Sequence, residues 1–433
     1  MEKPKRNGIA LDREERYEFT WPGRQAAILE ATTPNDKFLC PCQEESKHWD
    51  TTGNLYLEGD NLDALKLLQA THLNSIKMIY IDPPYNTGKD FVYRDTRQHS
   101  DWCSLMYPRL LLARSLLRED GVMFISIDDH EVDNLRRMAH QIFGESNFVA
   151  QICWKGRGGR QDSKHFAVLH EYILCYAKNA VRFQAGEEAK QTAVYPKYDA
   201  QKKRNYKTQL ARKWGSNSRR SDRPNLYYPI LAPDNTLVYP MLSTTEEGCW
   251  RWGRERMAKE IEGGNVEFVR NEKGWIVYEK IYGPLAGEQA TKKFTTWIDN
   301  INAGSGSAVL KQLFGRNVFD YPKPLELIKR LILMSNAAQD DLILDFFSGS
   351  ATTAHAVMQL NAEDGGRRRF IMVQLPEPTD EKSKAYIAGY QNICEIGKER
   401  IRRAGELLKA NHNDISSLDT GFRVLKIDDN SRP

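Results

Sequence analysis

Two short segments, far apart in the chain, hold residue types that can do chemistry together. The first is Asp82-Pro83-Pro84-Tyr85, which closes the apolar run Met78-Ile79-Tyr80-Ile81. An amine on an aromatic ring is a poor nucleophile, because its lone pair is delocalised into the ring. Two acceptors taking its two N–H bonds favour a tetrahedral nitrogen and stabilise the positive charge that develops on attack. The Asp82 carboxylate and the Pro83 carbonyl are such a pair, and the two prolines stiffen the backbone that presents them. Tyr85 adds a ring on which an extruded base can stack. Chemistry of this kind needs no metal. Cys40-Pro41-Cys42 with His48 is half of a zinc pattern, but no second Cys/His pair at ligand spacing follows it.

The second segment is Leu342-Ile343-Leu344-Asp345-Phe346-Phe347-Ser348-Gly349-Ser350-Ala351-Thr352-Thr353-Ala354, an apolar run that ends in a small-residue turn. Gly349 permits the turn, while Ser350 and Ala351 keep bulk away from it. The first N–H groups of the following helix are then open to the polar part of a cofactor. Residues 345–352 are therefore candidate cofactor ligands, with at least one of Phe346 and Phe347 expected in the core. Each segment reads as the carboxyl end of a buried parallel strand, where open α/β sheets place their ligands.

The elements needed to position these tips follow from periodicity. Short strands are expected at 55–60, 78–82, 121–128, 148–154, 170–177, 342–347 and 370–374, alternating with helices near 62–70, 102–117, 130–142, 324–335, 351–361 and 382–409. Asn61 is placed to cap the first of these helices. The strands are continuous apolar runs, as parallel strands covered on both faces should be. About seven strands thus form one α/β domain, made of a half at 51–180 and a half at 316–410. Residues 1–50 read as an arm or small cap, 181–315 as an insertion rich in Gly, Pro, Trp and charge, and 411–433 as an irregular tail.

At 433 residues, with 40% hydrophobic and 28% charged residues, the composition is that of a globular protein. No apolar stretch reaches the roughly 18 residues of a membrane span, the start Met1–Arg6 lacks an apolar signal core, and seven scattered cysteines suit a reducing cytoplasm. The net charge of +4 is unevenly spread: between Lys197 and Arg223 ten basic residues face two acidic ones. Lys202, Lys203, Arg204, Lys207, Arg212, Lys213, Arg219 and Arg220 alternate there with Tyr195, Tyr198, Tyr206, Trp214, Tyr227 and Tyr228. Cations for phosphates and rings for bases form a nucleic-acid footprint.

Asp82-Pro83-Pro84-Tyr85 resembles the catalytic motif of amino-methyltransferases, and Phe347-Ser348-Gly349-Ser350-Ala351 resembles their Phe-x-Gly-x-Gly motif for S-adenosyl-L-methionine (AdoMet). With the catalytic motif first, the order is that of the circularly permuted β class. The Mod subunits of type III restriction–modification systems are similar also at 57–62, 125–131, 170–174 and 319–324. The resemblance implies a Rossmann-like fold, AdoMet as cofactor, and N6-methylation of a flipped adenine in a double-stranded DNA site. It further implies a target-recognition role for the insertion, a homodimer and a restriction (Res) partner. Lys323 would help to bind the methionine carboxylate, and Asp60 would sit near the adenine edge of the cofactor.

Three departures stand out. Ala351 replaces the last glycine and fits if its φ is negative. The acidic residue for the cofactor ribose is either replaced by Gln374 or displaced to Glu377. The chain is also short for a Mod subunit, so a stand-alone enzyme is an equal expectation. N4-methylation of cytosine and a non-catalytic DNA-recognition subunit are the alternatives.

Overall fold

The computed structural model describes residues 18–88, 95–158, 165–189, 194–272, 274–285, 291–411 and 418–428; the charged start Met1–Arg6 lies outside them. The described chain divides into two compact units, one of residues up to Glu187 and from Lys293 onward, the other Glu188–Lys292.

The first unit is built on a ten-stranded mixed sheet. Its strands are β1 (Phe38–Lys47), β2 (Leu55–Glu58), β3 (Ile76–Ile81), β4 (Leu117–Ile127), β5 (Phe148–Trp154), β6 (Glu171–Ala177), β7 (Trp297–Ile298), β8 (Leu342–Asp345), β9 (Arg369–Gln374) and β10 (Phe422–Asp428). They lie in the order β1-β10-β2-β9-β8-β3-β4-β6-β5-β7. The six from β10 to β4 are mutually parallel. The helices are α1 (Arg24–Thr32), α2 (Asn61–His72), α3 (His99–Leu116), α4 (Val132–Phe143), α5 (Gly304–Phe314), α6 (Leu325–Met334), α7 (Thr352–Asp364) and α8 (Ile393–Asn411).

Every residue of β3 is buried, because helices cover both faces of the sheet. The two-residue period of a strand sends Ile79 and Ile81 into the core shared with α1–α4, and Met78 and Tyr80 into the core shared with α6–α8. β3 and β8 are direct neighbours, with Ile343 opposite Met78 and Leu344 opposite Ile79. Asp82 and Asp345, 263 positions apart in the sequence, therefore emerge at the same end of adjacent parallel strands.

Several expectations change. The sheet has ten strands rather than about seven, since segments read as arm and tail both join it: β1 pairs antiparallel with β10, and β10 runs parallel to β2. β1 contains Pro41 and three charged residues, a sequence suited to a sheet edge and hard to recognise as a strand. The helix expected at 382–409 is broken into Lys384–Ile387 and α8, with Gly389 between them at φ 93°. Asp60, not Asn61, caps α2, accepting the Leu62 N–H at 2.8 Å. No helix among the described residues is long and apolar enough to cross a membrane.

The second unit is narrower than the expected insertion at 181–315: Trp297–Ile298 and Gly304–Phe314 belong to the first unit. It holds a four-stranded antiparallel sheet, Val266–Asn271, Gly274–Tyr282, Arg204–Leu210 and Lys197–Asp199 in spatial order. Tyr228, Trp250, Trp252 and Met257 form its core.

Phe422 is wholly buried on β10. Phe422→Ala is expected to remove about 3–5 kcal/mol of stability, seen as a lower urea midpoint at unchanged slope. A loss below about 1 kcal/mol would mean that β10 is not an integral strand.

Candidate active site

The site is an open cleft at the carboxyl ends of β3 and β8, with about 1060 Å³ of empty space including the open solvent at its mouth. Asp60, Asp82, Pro84, Lys323, Glu377 and the turn after β8 all contribute to its lining.

Asp82 follows directly on β3 and keeps a quarter of its side chain exposed towards the cleft (27%), while Pro83 is buried. The Trp102 indole donates to the Pro84 carbonyl at 2.7 Å, which ties the tip to α3. Lys323, 14% exposed, sits among three oxygens: Asp82 Oδ1 at 3.0 Å, the Tyr85 hydroxyl at 2.8 Å and Glu171 Oε2 at 3.4 Å. The Tyr85 hydroxyl donates to Glu171 Oε2 at 3.2 Å, and Arg157 pairs with Glu171 Oε1 at 2.9 Å. Burial raises the Asp82 carboxyl above its ordinary range even against the Lys323 charge. Burial would also raise Glu171, but Lys323 and Arg157 outweigh it and hold that carboxyl low. For Lys323, burial favours the neutral amine; Asp82 and Glu171 together overcome that and keep it protonated.

Across the cleft, the turn after β8 is held from below. Asp345 accepts the Phe347 N–H at 3.1 Å and the Thr353 hydroxyl at 2.5 Å, and burial pushes its carboxyl up to about 7. Gly349 has φ 50°, which favours glycine, and a Cβ there would lie 3.3 Å from the Phe319 ring, so that the ring would have to shift by a few tenths of an ångström. Its N–H donates to Gln374 Oε1 at 2.7 Å, and the Gln374 amide donates to the Leu375 carbonyl at 3.1 Å. Gln374 is therefore spent on the turn and the neighbouring chain. Glu377, the other candidate acid, lines the cleft with its carboxyl raised to about 6 by burial.

Ala351 departs from expectation. Its φ is 59° rather than negative, and it caps α7 in the left-handed region with no side-chain hydrogen bond. Its support comes from a residue with no local signal in the sequence: Arg400, wholly buried on α8, donates from Nη1 to the Thr352 hydroxyl at 2.6 Å and the Ser350 hydroxyl at 3.0 Å. Burial alone lowers its guanidinium to about 9. On the third side, Asn61 donates to the Phe346 carbonyl at 2.7 Å, and Arg109 bonds both Asn61 Oδ1 (2.5 Å) and Asp60 (3.1 Å).

Most of the catalytic and cofactor candidates line one cleft, but Pro83, Tyr85 and Ala351 are not among its lining residues. Phe346 is wholly buried and belongs to the core, while Phe347 is partly exposed. The Lys323 ammonium lies on Asp82 and Tyr85. Asp60 is occupied by its helix cap and Arg109. Glu171, Arg157, Arg109 and Arg400 were missed as site residues. Glu171 lay in a stretch already noted for resemblance, while the arginines show no local signal, being recognisable only by what they touch.

In the second unit, Tyr206 and Tyr228 are buried and so cannot take a stacked base; Tyr198 and Trp214 are more than half exposed. Arg219 and Arg220 pair with Glu246 and Glu247 at 2.9 and 2.7 Å. Lys202 bonds Asn265, and Arg204 bonds the Gly283 carbonyl. Lys203, Lys207, Arg212 and Lys213 make no ion pair among the described residues, though Lys207 lies 5.8 Å over the Tyr195 ring.

The profile of an N6/N4 DNA methylase family matches residues 76–404. The Mod subunit of the type III restriction–modification enzyme EcoPI of Escherichia phage P1 is 34% identical over 96% of this chain and 72% of that protein. The StyLTI Mod subunit of Salmonella typhimurium is 36% identical over 94% and 65%. The type II methyltransferase M.KpnI of Klebsiella pneumoniae is 34% identical over 81% and 87%.

Asp345 makes stability depend on pH. With its carboxyl near 7 in the fold against an ordinary 3.8, the folded protein keeps a proton that the unfolded chain releases. It therefore favours the fold most below about pH 4 and loses that contribution as the pH rises to about 7. Asp345→Asn is expected to gain on the wild type between those limits, by on the order of 4 kcal/mol at most. Denaturant melts across pH 4–8 test this, and parallel curves for the two proteins would refute it.

Proposed function

The chain belongs to the N6/N4 DNA methylase family, and from that premise we propose that it transfers the AdoMet methyl group to the N6 amine of adenine in a double-stranded recognition sequence. The observation that carries this reading is the adjacency of β3 and β8, which puts Asp82 and the Gly349 turn in one cleft.

The residues present fit AdoMet. Gly349 leaves a cradle that a Cβ would close against Phe319, and the half-buried Glu377 carboxylate is suited to a pair of ribose hydroxyls. Gly349, Ser350, Glu377 and Lys323 are the residues we assign to holding it. When bound, AdoMet supplies an electrophilic methyl group on a sulfonium.

The remaining chemistry rests on the chain itself. Asp82 and the Pro83 carbonyl accept the two N–H bonds of the amine, freeing its lone pair, and the raised basicity of the poorly solvated Asp82 makes it the stronger acceptor. Tyr85 stacks on the base, which must leave the duplex to reach a cleft of this depth. Aspartate in the first motif position supports adenine rather than cytosine. Lys203, Lys207, Arg212 and Lys213 contact phosphates, with Trp214 and Tyr198 beside them. A homodimer and a restriction subunit are the protein partners we propose. Two of the relatives are by name Mod subunits of restriction–modification enzymes, which supports the second.

Single-molecule sequencing of genomic DNA from cells expressing the chain should find N6-methyladenine in one recurrent motif. Asp82→Ala should reduce transfer by at least about 10²-fold while retaining AdoMet binding; an active variant would refute the assignment. Replacing Lys203, Lys207 and Lys213 by alanine should weaken duplex binding and flatten its logarithmic salt slope by up to about 0.9 for each phosphate no longer neutralised. Arg219 and Arg220, neutralised by their glutamates, should matter less. An unchanged slope would place the phosphate-binding surface elsewhere.

A further inference from the structure

We propose that Glu171 is a positioning residue for methyl transfer: its carboxylate shares the buried Lys323 ammonium with Asp82 and anchors the Tyr85 hydroxyl, so that Lys323 cannot close on Asp82 as an exclusive ion pair. The inference rests on the reading of Asp82 as the amine acceptor.

The geometry is specific. Glu171 opens β6, which runs antiparallel to β4, and so reaches the site from a strand that contributes neither motif. It is buried, and both of its oxygens are engaged, Oε1 by Arg157 and Oε2 by Tyr85 and Lys323. Lys323 also lies 4.7 Å over the Tyr85 ring, so the same ammonium touches the proposed stacking platform and the proposed acceptor.

In a poorly solvated site a lone Lys–Asp pair is strong, and an acceptor bound so tightly is a weak acceptor for an incoming N–H. A second carboxylate on the far side of the ammonium divides that attraction. Arg157 then balances the cluster, two negative charges against two positive. The groups facing Asp82 are Lys323, Glu171, the hydroxyls of Tyr85 and Tyr80, and Asp345. Those facing Glu171 are Lys323, Arg157, Tyr85 and Tyr80. The negative charge of Glu171 is one of the influences that keep Asp82 basic.

The test uses the full chain and tritiated-methyl transfer from AdoMet to unmethylated genomic DNA. Glu171→Gln is expected to lower kcat at least about tenfold with the KM for AdoMet within about threefold. The acid limb of its pH profile should move to lower pH, since a negative charge near Asp82 has gone. Glu171→Asp should restore part of the rate. A kcat within about twofold of wild type, or an acid limb that stays in place, overturns the proposal.

A second measurement needs no activity. In melts of Glu171→Gln, Asp82→Asn and the double variant, each single variant leaves Lys323 one carboxylate, and the double leaves it none. The double should therefore melt lower than the two single shifts combined, by about several degrees; additive shifts overturn the sharing of Lys323. If the wild type methylates no DNA, the functional reading falls and this cycle alone decides the role of Glu171.

Discussion

Everything at the site depends on one pairing: β8 hydrogen-bonded beside β3, with Leu344 opposite Ile79. The two segments are separated by 263 positions, and closing a flexible loop of that length costs about 5 kcal/mol beyond its constant. The apolar side chains of both strands offset that cost by inserting into cores on either face. A compact unit within the loop also shortens the flexible chain that must be closed. Because both strands point the same way, their polar tips face a common space. Antiparallel pairing would have put them at opposite ends of the sheet.

Around that space, charge is placed in depth. Asp82, Glu171, Lys323 and Arg157 balance one another on the β3 side. On the β8 side Arg400, a cation with no carboxylate partner among the described residues, lies under a turn with two residues in the left-handed region. Burying a guanidinium in that way is costly. Its return is three donor contacts to the hydroxyls and carbonyl that the turn exposes inward. The two halves of the cleft are thus stabilised differently: one by compensating charges, the other by a single rigid donor that holds a strained backbone.

What could be read in the sequence followed from local pattern. Continuous apolar runs located β3, β4, β8 and β9, because a strand buried on both faces has few alternatives in sequence space, and the tips of β3 and β8 held the residue types read as candidates for chemistry. What could not be read was set by distant partners. β1 is an edge strand and β10 its inner neighbour, and each is paired by a segment hundreds of positions away, which no local pattern reports. Ala351, at φ 59°, lies between two hydroxyls that Arg400 bonds from nearly fifty positions away. Arg219 and Arg220 appear as open cations in the sequence, and the glutamates that neutralise them lie on another stretch of the same unit. Tyr206 and Tyr228 look like stacking rings and are buried.

The place of β10 has a consequence for synthesis. Parallel to β2 on one side and antiparallel to β1 on the other, it fills a slot bounded by strands made more than 360 residues earlier. At roughly 5–20 residues per second, a ribosome needs on the order of 20–70 seconds to cover that distance. Throughout that interval the near edge of β2 and the inner edge of β1 have unmatched main-chain groups. A nascent chain can assemble β3, β4, β8 and β9 and still lack its closing strand. Completion of the sheet therefore reports that translation has run through residue 428, and a product truncated before it is left with an open edge that chaperones and proteases recognise.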